Sequence, residues 1–197
     1  MDTFTTGICM TAAHRAPARR AHALLAGLAA MAMMALLPGS HALGAGDSGG
    51  MVRFDPPQPA PVLELPLLGG GRVTLAQYQG RYVLLNFWAT WCLPCLRELP
   101  ALQDLASTLA PEGLDVLTVA LDAGGAGDVQ PYARRLNLQL PVALDATGKA
   151  GARYGVRDLP LTFLIGPGGK VVAAAKGARV WNGPPMLAQL RDFLKAK

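Results

Sequence analysis

At 197 residues with a formal net charge of +5, the chain has the length for one ordinary domain and a leader, and its 51% apolar content is enough for a core. Three cysteines are too few for a distributed disulfide scaffold. Beyond residue 42 the basic residues stand singly except for Arg134-Arg135, a solvated doublet on an expected helix, so no nucleic-acid partner is implied.

Residues 1–22 carry Arg15, Arg19 and Arg20 against one acid, Asp2, and lead into an Ala-rich apolar run over 23–37. This is the pattern of an export signal. Ser40 and Ala42 put small residues where a signal peptidase reads, so residues 1–42 are expected to be cleaved off after Ala42. The alternative is an uncleaved anchor, because the apolar run over 21–38 approaches the roughly 20 residues that span a bilayer; its Ala and Gly content argues against it. Both readings keep the arginines on the cytoplasmic side and place the rest of the chain in the periplasm. Arg19-Arg20 fits twin-arginine export poorly, and Cys9 precedes the apolar run, which a lipoprotein cysteine would follow. Met10 is a candidate true start, since it would shorten the basic region to a more usual length.

Cleavage would remove Cys9, His14, His22 and His41, leaving a chain with no histidine and with Cys92 and Cys95 as its only thiols. That inventory excludes Ser-His-Asp and Cys-His hydrolases, zinc hydrolases with imidazole ligands, and copper sites that need Cys and His together. No cofactor and no metal site is expected. Charges beyond Ala42 number 15 Lys and Arg against 12 Asp and Glu, a small excess.

Residues 43–61 are rich in Gly and Pro and are expected to be a linker, with a single domain over 62–197. Segments 62–68 and 72–75 flank Gly69-Gly70-Gly71 and predict a short hairpin. The nearly continuous apolar run over 82–89 predicts a central strand buried on both faces.

Directly behind that strand stands Trp91-Cys92-Leu93-Pro94-Cys95, two thiols one helical turn apart. A thiol at a helix start lies beside unpaired N–H groups and the positive end of the helix dipole, and both favour the thiolate. The gain is large: a cysteine with a pKa near ~8.5 is only about 3% ionised at pH 7, and one near ~7 is about half ionised. Cys92, nearest the helix end, is the expected nucleophile. Cys95, one turn in, is the expected resolving thiol that attacks the mixed disulfide. Leu96, Leu99, Leu102, Leu105 and Leu109 then recur at helical spacing, with Pro100 expected to kink the helix.

A second buried strand is expected over 114–121, a helix over 129–138, a short strand over 141–144 and a short helix over 148–154. Segments 161–165 and 170–175 around Gly166-Pro167-Gly168-Gly169 predict a hairpin, and Met186, Leu187, Leu190 and Leu194 mark a last helix. The order implies an α/β fold with a mixed sheet covered on both faces.

The stretch LLNFWATWCLPCLRELPAL, residues 84–102, resembles the TlpA/ResA group of thioredoxin-like proteins. A bare C-x-x-C also suits half a zinc site or a haem attachment. Haem attachment needs a His where Leu96 stands, and four zinc ligands are not present after the leader. The resemblance implies a thioredoxin fold, with the hairpin as its N-terminal lead-in and segments 141–144 and 148–154 as the strand and helix this group inserts. It also implies that Leu159-Pro160 is a cis peptide packed against the dithiol, leaving the Leu159 backbone free to pair with an extended client; a trans proline opening an edge strand is the bland alternative. Trp91, Leu93 and Pro94 would then shape the docking surface beside Leu159 and Pro160, with Trp88 filling core.

Glu98 follows Cys95 by three residues and shares its helix face. The ResA-like members carry an acid at this offset, which implies a carboxylate that takes and returns the proton of Cys95. An acid in the first turns of a helix also simply complements the dipole, and both readings stand. Asn86 occupies the strand position where thioredoxin has an Asp, which leaves Glu98 as the nearby candidate acid.

Together these readings point to an exported thiol-disulfide oxidoreductase, a reductase of protein disulfides. The resemblance implies a DsbD- or CcdA-like membrane electron donor and, as one client, apocytochrome c. Leu161 stands where the cytochrome-maturation branch often carries Glu, which favours a general reductase. Rival readings are a thiol oxidant or isomerase, a module holding Cu(I) or haem, and a thiol peroxidase. The last lacks the Thr-x-x-Cys spacing and preceding Pro, although Thr90 is near Cys92.

Overall fold

The computed structural model describes residues 49–195. The expected leader, with Cys9 and the three histidines, and residues 43–48 of the expected linker lie outside these residues.

Six strands form the main sheet: β1 (Val52–Pro59), β4 (Tyr82–Trp88), β5 (Leu114–Ala120), β6 (Val142–Leu144), β7 (Leu161–Ile165) and β8 (Lys170–Lys176), in the order β1-β8-β7-β4-β5-β6. β2 (Glu64–Pro66) and β3 (Arg72–Thr74) form the expected lead-in hairpin as a separate two-stranded sheet. The helices are α1 (Leu93–Leu109), α2 (Ala126–Arg135), α3 (Lys149–Arg153) and α4 (Pro184–Lys195). β4 runs parallel to β5 and antiparallel to β7, and β5 runs parallel to β6, giving a mixed sheet.

Every residue of β4 is buried, as its apolar run requires for a central strand. Its alternation sends Leu84 and Trp88 into one core layer with α1 and α4, where Leu99, Leu102, Leu105, Leu109, Leu190 and Phe193 pack. Val83, Leu85 and Phe87 face the opposite layer, closed by the hairpin and by α3 with Tyr154. Each fully buried Leu contributes about 2 kcal/mol, so the leucine face of α1 fixes the dithiol-bearing helix firmly to the sheet. Pro100 lies inside α1, which runs as one helix through it. The helix expected over 129–138 starts three residues earlier, where the Asp128 carboxylate accepts the Gly124 N–H at 3.0 Å and ties the first turn to the preceding loop.

The reading of 43–61 as a linker is corrected over 52–59, which form β1. Met51 is buried, and its backbone N–H and C=O bond the Gln189 side chain at 2.8 and 2.9 Å. Val52 pairs with Ala174 and Arg53 with Ala173; the register then shifts before Gln58 meets Val171 and Pro59 meets Lys170. The shift takes up Pro56 and Pro57, and Asp55-Pro56 is a cis peptide. Proline composition argued against a strand, but an edge strand needs partners on one side only, so the missing N–H groups can face away from β8.

Candidate active site

β4 delivers the chain into the loop that carries the dithiol. Thr90, at that turn, is held by Asp122 just past β5: the buried Asp122 carboxylate accepts the Thr90 N–H at 3.1 Å to each oxygen and also the Thr90 hydroxyl. The Cys92 N–H closes the turn by donating to the Ala89 carbonyl at 3.1 Å.

Cys92 is the N-cap of α1, with extended backbone, and Pro94 stands in the first turn where its missing N–H costs nothing. The Cys92 sulfur accepts the Cys95 N–H at 3.3 Å, the position a capping oxygen takes at other helices. Cys92 and Cys95 are joined in a disulfide, with S–S 2.04 Å and Cα atoms 5.3 Å apart. Cys95 is fully buried, and Cys92 retains 6% exposure. Trp91, 71% exposed, Leu93 and Pro94 form the open surface around it.

The Leu159-Pro160 peptide is cis, as the resemblance implied. Pro160 is buried and Leu159 half-buried, and the Leu159 backbone makes no hydrogen bond among the described residues. The Pro160 carbonyl accepts the Gly177 N–H at 2.8 Å, fixing the turn to the end of β8.

Glu98 is buried beneath the helix start, 3% exposed. Its carboxylate accepts the Asn86 side-chain amide at 2.9 Å, the Arg179 backbone N–H at 3.0 Å and the Trp181 indole N–H at 2.9 Å. It makes no hydrogen bond to either sulfur in this disulfide form. Burial pushes its carboxyl above the ordinary carboxylate range, against the lowering effect of Trp181, Arg179 and Asn86. Asn86 also donates to the Thr162 hydroxyl at 2.9 Å, so β4, β7 and α1 are tied at one point. The sequence reading named Asn86 and Glu98 but missed Trp181, Arg179, Thr162 and Asp122. Trp181 and Arg179 come from the loop before α4, more than 80 residues further along the chain than Glu98, and nothing in their local pattern marks them.

A disulfide at the N-terminus of the helix that follows the central strand, with a cis proline just before the strand paired antiparallel to that central strand in a mixed sheet, defines a thioredoxin-like thiol-disulfide oxidoreductase. The AhpC/TSA family, a family of this fold, is matched over residues 56–174, and the chain belongs to it. It is 35% identical over 137 residues to the thiol-disulfide oxidoreductase ResA of Bacillus thuringiensis subsp. konkukian, covering 69% of this chain and 75% of that one. To ResA of Geobacillus thermodenitrificans it is 38% identical over 112 residues, 57% of this chain and 64% of that protein. A crystal structure from Chlorobium tepidum, named for the thiol:disulfide interchange protein DsbE, aligns with a TM-score of 0.62 and 32% identity, covering 71% of this chain and 95% of that one.

Proposed function

We propose that this oxidoreductase reduces disulfides of client proteins outside the cytoplasm, with Cys92 as nucleophile and Cys95 as resolving thiol. The observation that carries the reading is the Cys92 sulfur standing as the cap of α1 and accepting the Cys95 N–H, where a thiolate is stabilised, while Cys95 is sealed from clients.

In the reduced protein the Cys92 thiolate attacks a client disulfide. A Cys92–client bond forms, and the other client sulfur leaves as a thiolate. Cys95 loses its proton and attacks the Cys92 sulfur, forming the Cys92–Cys95 disulfide seen here and releasing the second client thiolate. Two electrons pass from the dithiol to the client. Glu98, with its raised carboxyl beneath the same helix turn, takes the Cys95 proton and passes it on toward the departing thiolate. The free backbone of Leu159 pairs with the client segment, and Trp91, Leu93, Pro94 and Pro160 frame it.

The product is the disulfide form, so each turnover needs a dithiol donor, in our reading a membrane carrier resembling DsbD or CcdA. Residues 1–42 act as the export leader. Leu161 beside the cis proline favours general protein clients over apocytochrome c. No helix among the described residues is long and apolar enough to cross a membrane.

The test is the reduction potential of the Cys92–Cys95 pair, with client trapping on Cys95→Ser. A potential near that of thioredoxin, about −270 mV, fits a reductase; one near about −120 mV makes the protein a thiol oxidant and overturns the assignment.

A further inference from the structure

A groove of about 1060 Å³ opens beside the first turns of α1, lined there by Pro94, Arg97 and Glu98, by Lys176 at the end of β8 and the following Gly177 to Val180, and by Met186 at the start of α4. Two of its lining residues adjoin the reaction centre. Pro94 lies between the two cysteines, and Gly177 donates to the carbonyl of the cis Pro160.

The groove's wall is apolar and its rim is cationic. Val180 is 73% exposed and, with the exposed Pro94, offers aliphatic surface. Arg97 is exposed and has no hydrogen-bond or ion-pair partner among the described residues. Lys176 is paired with Asp158 at 2.7 Å, but both side chains are well exposed, so the pair is weak and exchangeable. The one carboxylate lining the groove, Glu98, is buried and occupied by three donors. Nothing else in the groove answers the charge of Arg97.

We propose that the groove takes an acidic, partly apolar client segment, with an Asp or Glu one or two residues from the cysteine that Cys92 attacks. The range follows from geometry. Pro94 and Arg97 are three residues apart on a helix, an axial rise of about 4.5 Å, which one or two residues of extended client chain cover at about 3.3 Å each. The inference rests on the reductase reading and names its substrate class.

The test uses short disulfide-linked peptides that differ only in carrying Glu or Lys beside the cysteine. At low ionic strength the Glu peptide is expected to be reduced about fivefold faster, with the preference fading as salt shortens the Debye length toward about 3 Å. Arg97→Glu is expected to reverse the preference. Equal rates for the two peptides, or a preference that Arg97→Glu leaves untouched, overturn the proposal.

A second measurement needs no redox chemistry, so it separates this inference from the reductase reading. The oxidised protein is titrated with the same peptides carrying Ser for Cys, and amide NMR shifts are followed. Shifts at Arg97, Lys176, Gly177 and Val180 with the Glu peptide alone uphold the acidic groove even if turnover fails. Shifts of equal size with the Lys peptide, or no shifts with either, overturn it even if the protein is a good reductase.

Discussion

The carboxylate of Asp122, just past β5, holds both the backbone N–H and the hydroxyl of Thr90, two residues ahead of Cys92. A buried acid far along the chain thus pins the turn that presents Cys92. Asp122→Ala leaves the Thr90 donors without a partner in a largely closed site, and the expected cost is about 1–3 kcal/mol. Thr90→Ala removes only the hydroxyl bond and should cost about 1 kcal/mol or less. Urea unfolding of the oxidised forms checks the order; equal losses would mean the backbone bond contributes nothing.

Glu98 gives the protein a pH dependence of unusual sign. A carboxyl whose folded value lies above its unfolded one binds its proton more tightly in the native state. Its contribution to stability is complete below the ordinary value near 4.5 and is lost as pH rises through the raised one. Glu98→Gln abolishes that loss, so the variant should gain stability relative to the parent as pH rises from 4 toward 8. Denaturant midpoints measured across that range decide it. In kinetics, the same variant should slow the resolving step more than the first attack, and stopped-flow measurement of both steps showing equal rates in variant and parent would remove Glu98 from the mechanism.

Pro160→Thr restores a backbone N–H at the cis turn and gives up the ring that stands there. Mixed disulfides between Cys92 and clients should then persist, and they should be visible on non-reducing gels of extracts. Unchanged turnover with no trapped species would count against the docking role of this turn.

Met51→Ala tests whether the segment before the hairpin is part of the fold. A linker residue would cost almost nothing, whereas loss of a buried Met side chain costs about 2–5 kcal/mol, readable as a lower unfolding midpoint.

What could be read without a structure was whatever depends on near neighbours in the chain. The burial of Trp88, the capping place of Cys92 and the leucine face of α1 all follow from spacing within one strand or helix. The cis state of Pro160 was legible through family likeness, not from the residues alone. Asn86 and Glu98 were each visible, but the hydrogen bond between them arises only when α1 lies across β4, and Trp181 completes the set from a loop 83 residues away. The strand over 52–59 was hidden for a different reason. Its composition is that of a spacer, and only the unsatisfied edge of β8 turns it into a strand.

That edge strand bears on how the chain is made. Val52 meets Ala174, so the sheet cannot close on this side until synthesis has reached β8, and residues 52–59 wait unpaired through most of translation. Pro56, Pro57 and Pro59 lack the N–H groups with which a waiting strand would recruit a neighbouring nascent chain. The prolines that disguise β1 as a spacer also make it a poor template for aggregation while it waits.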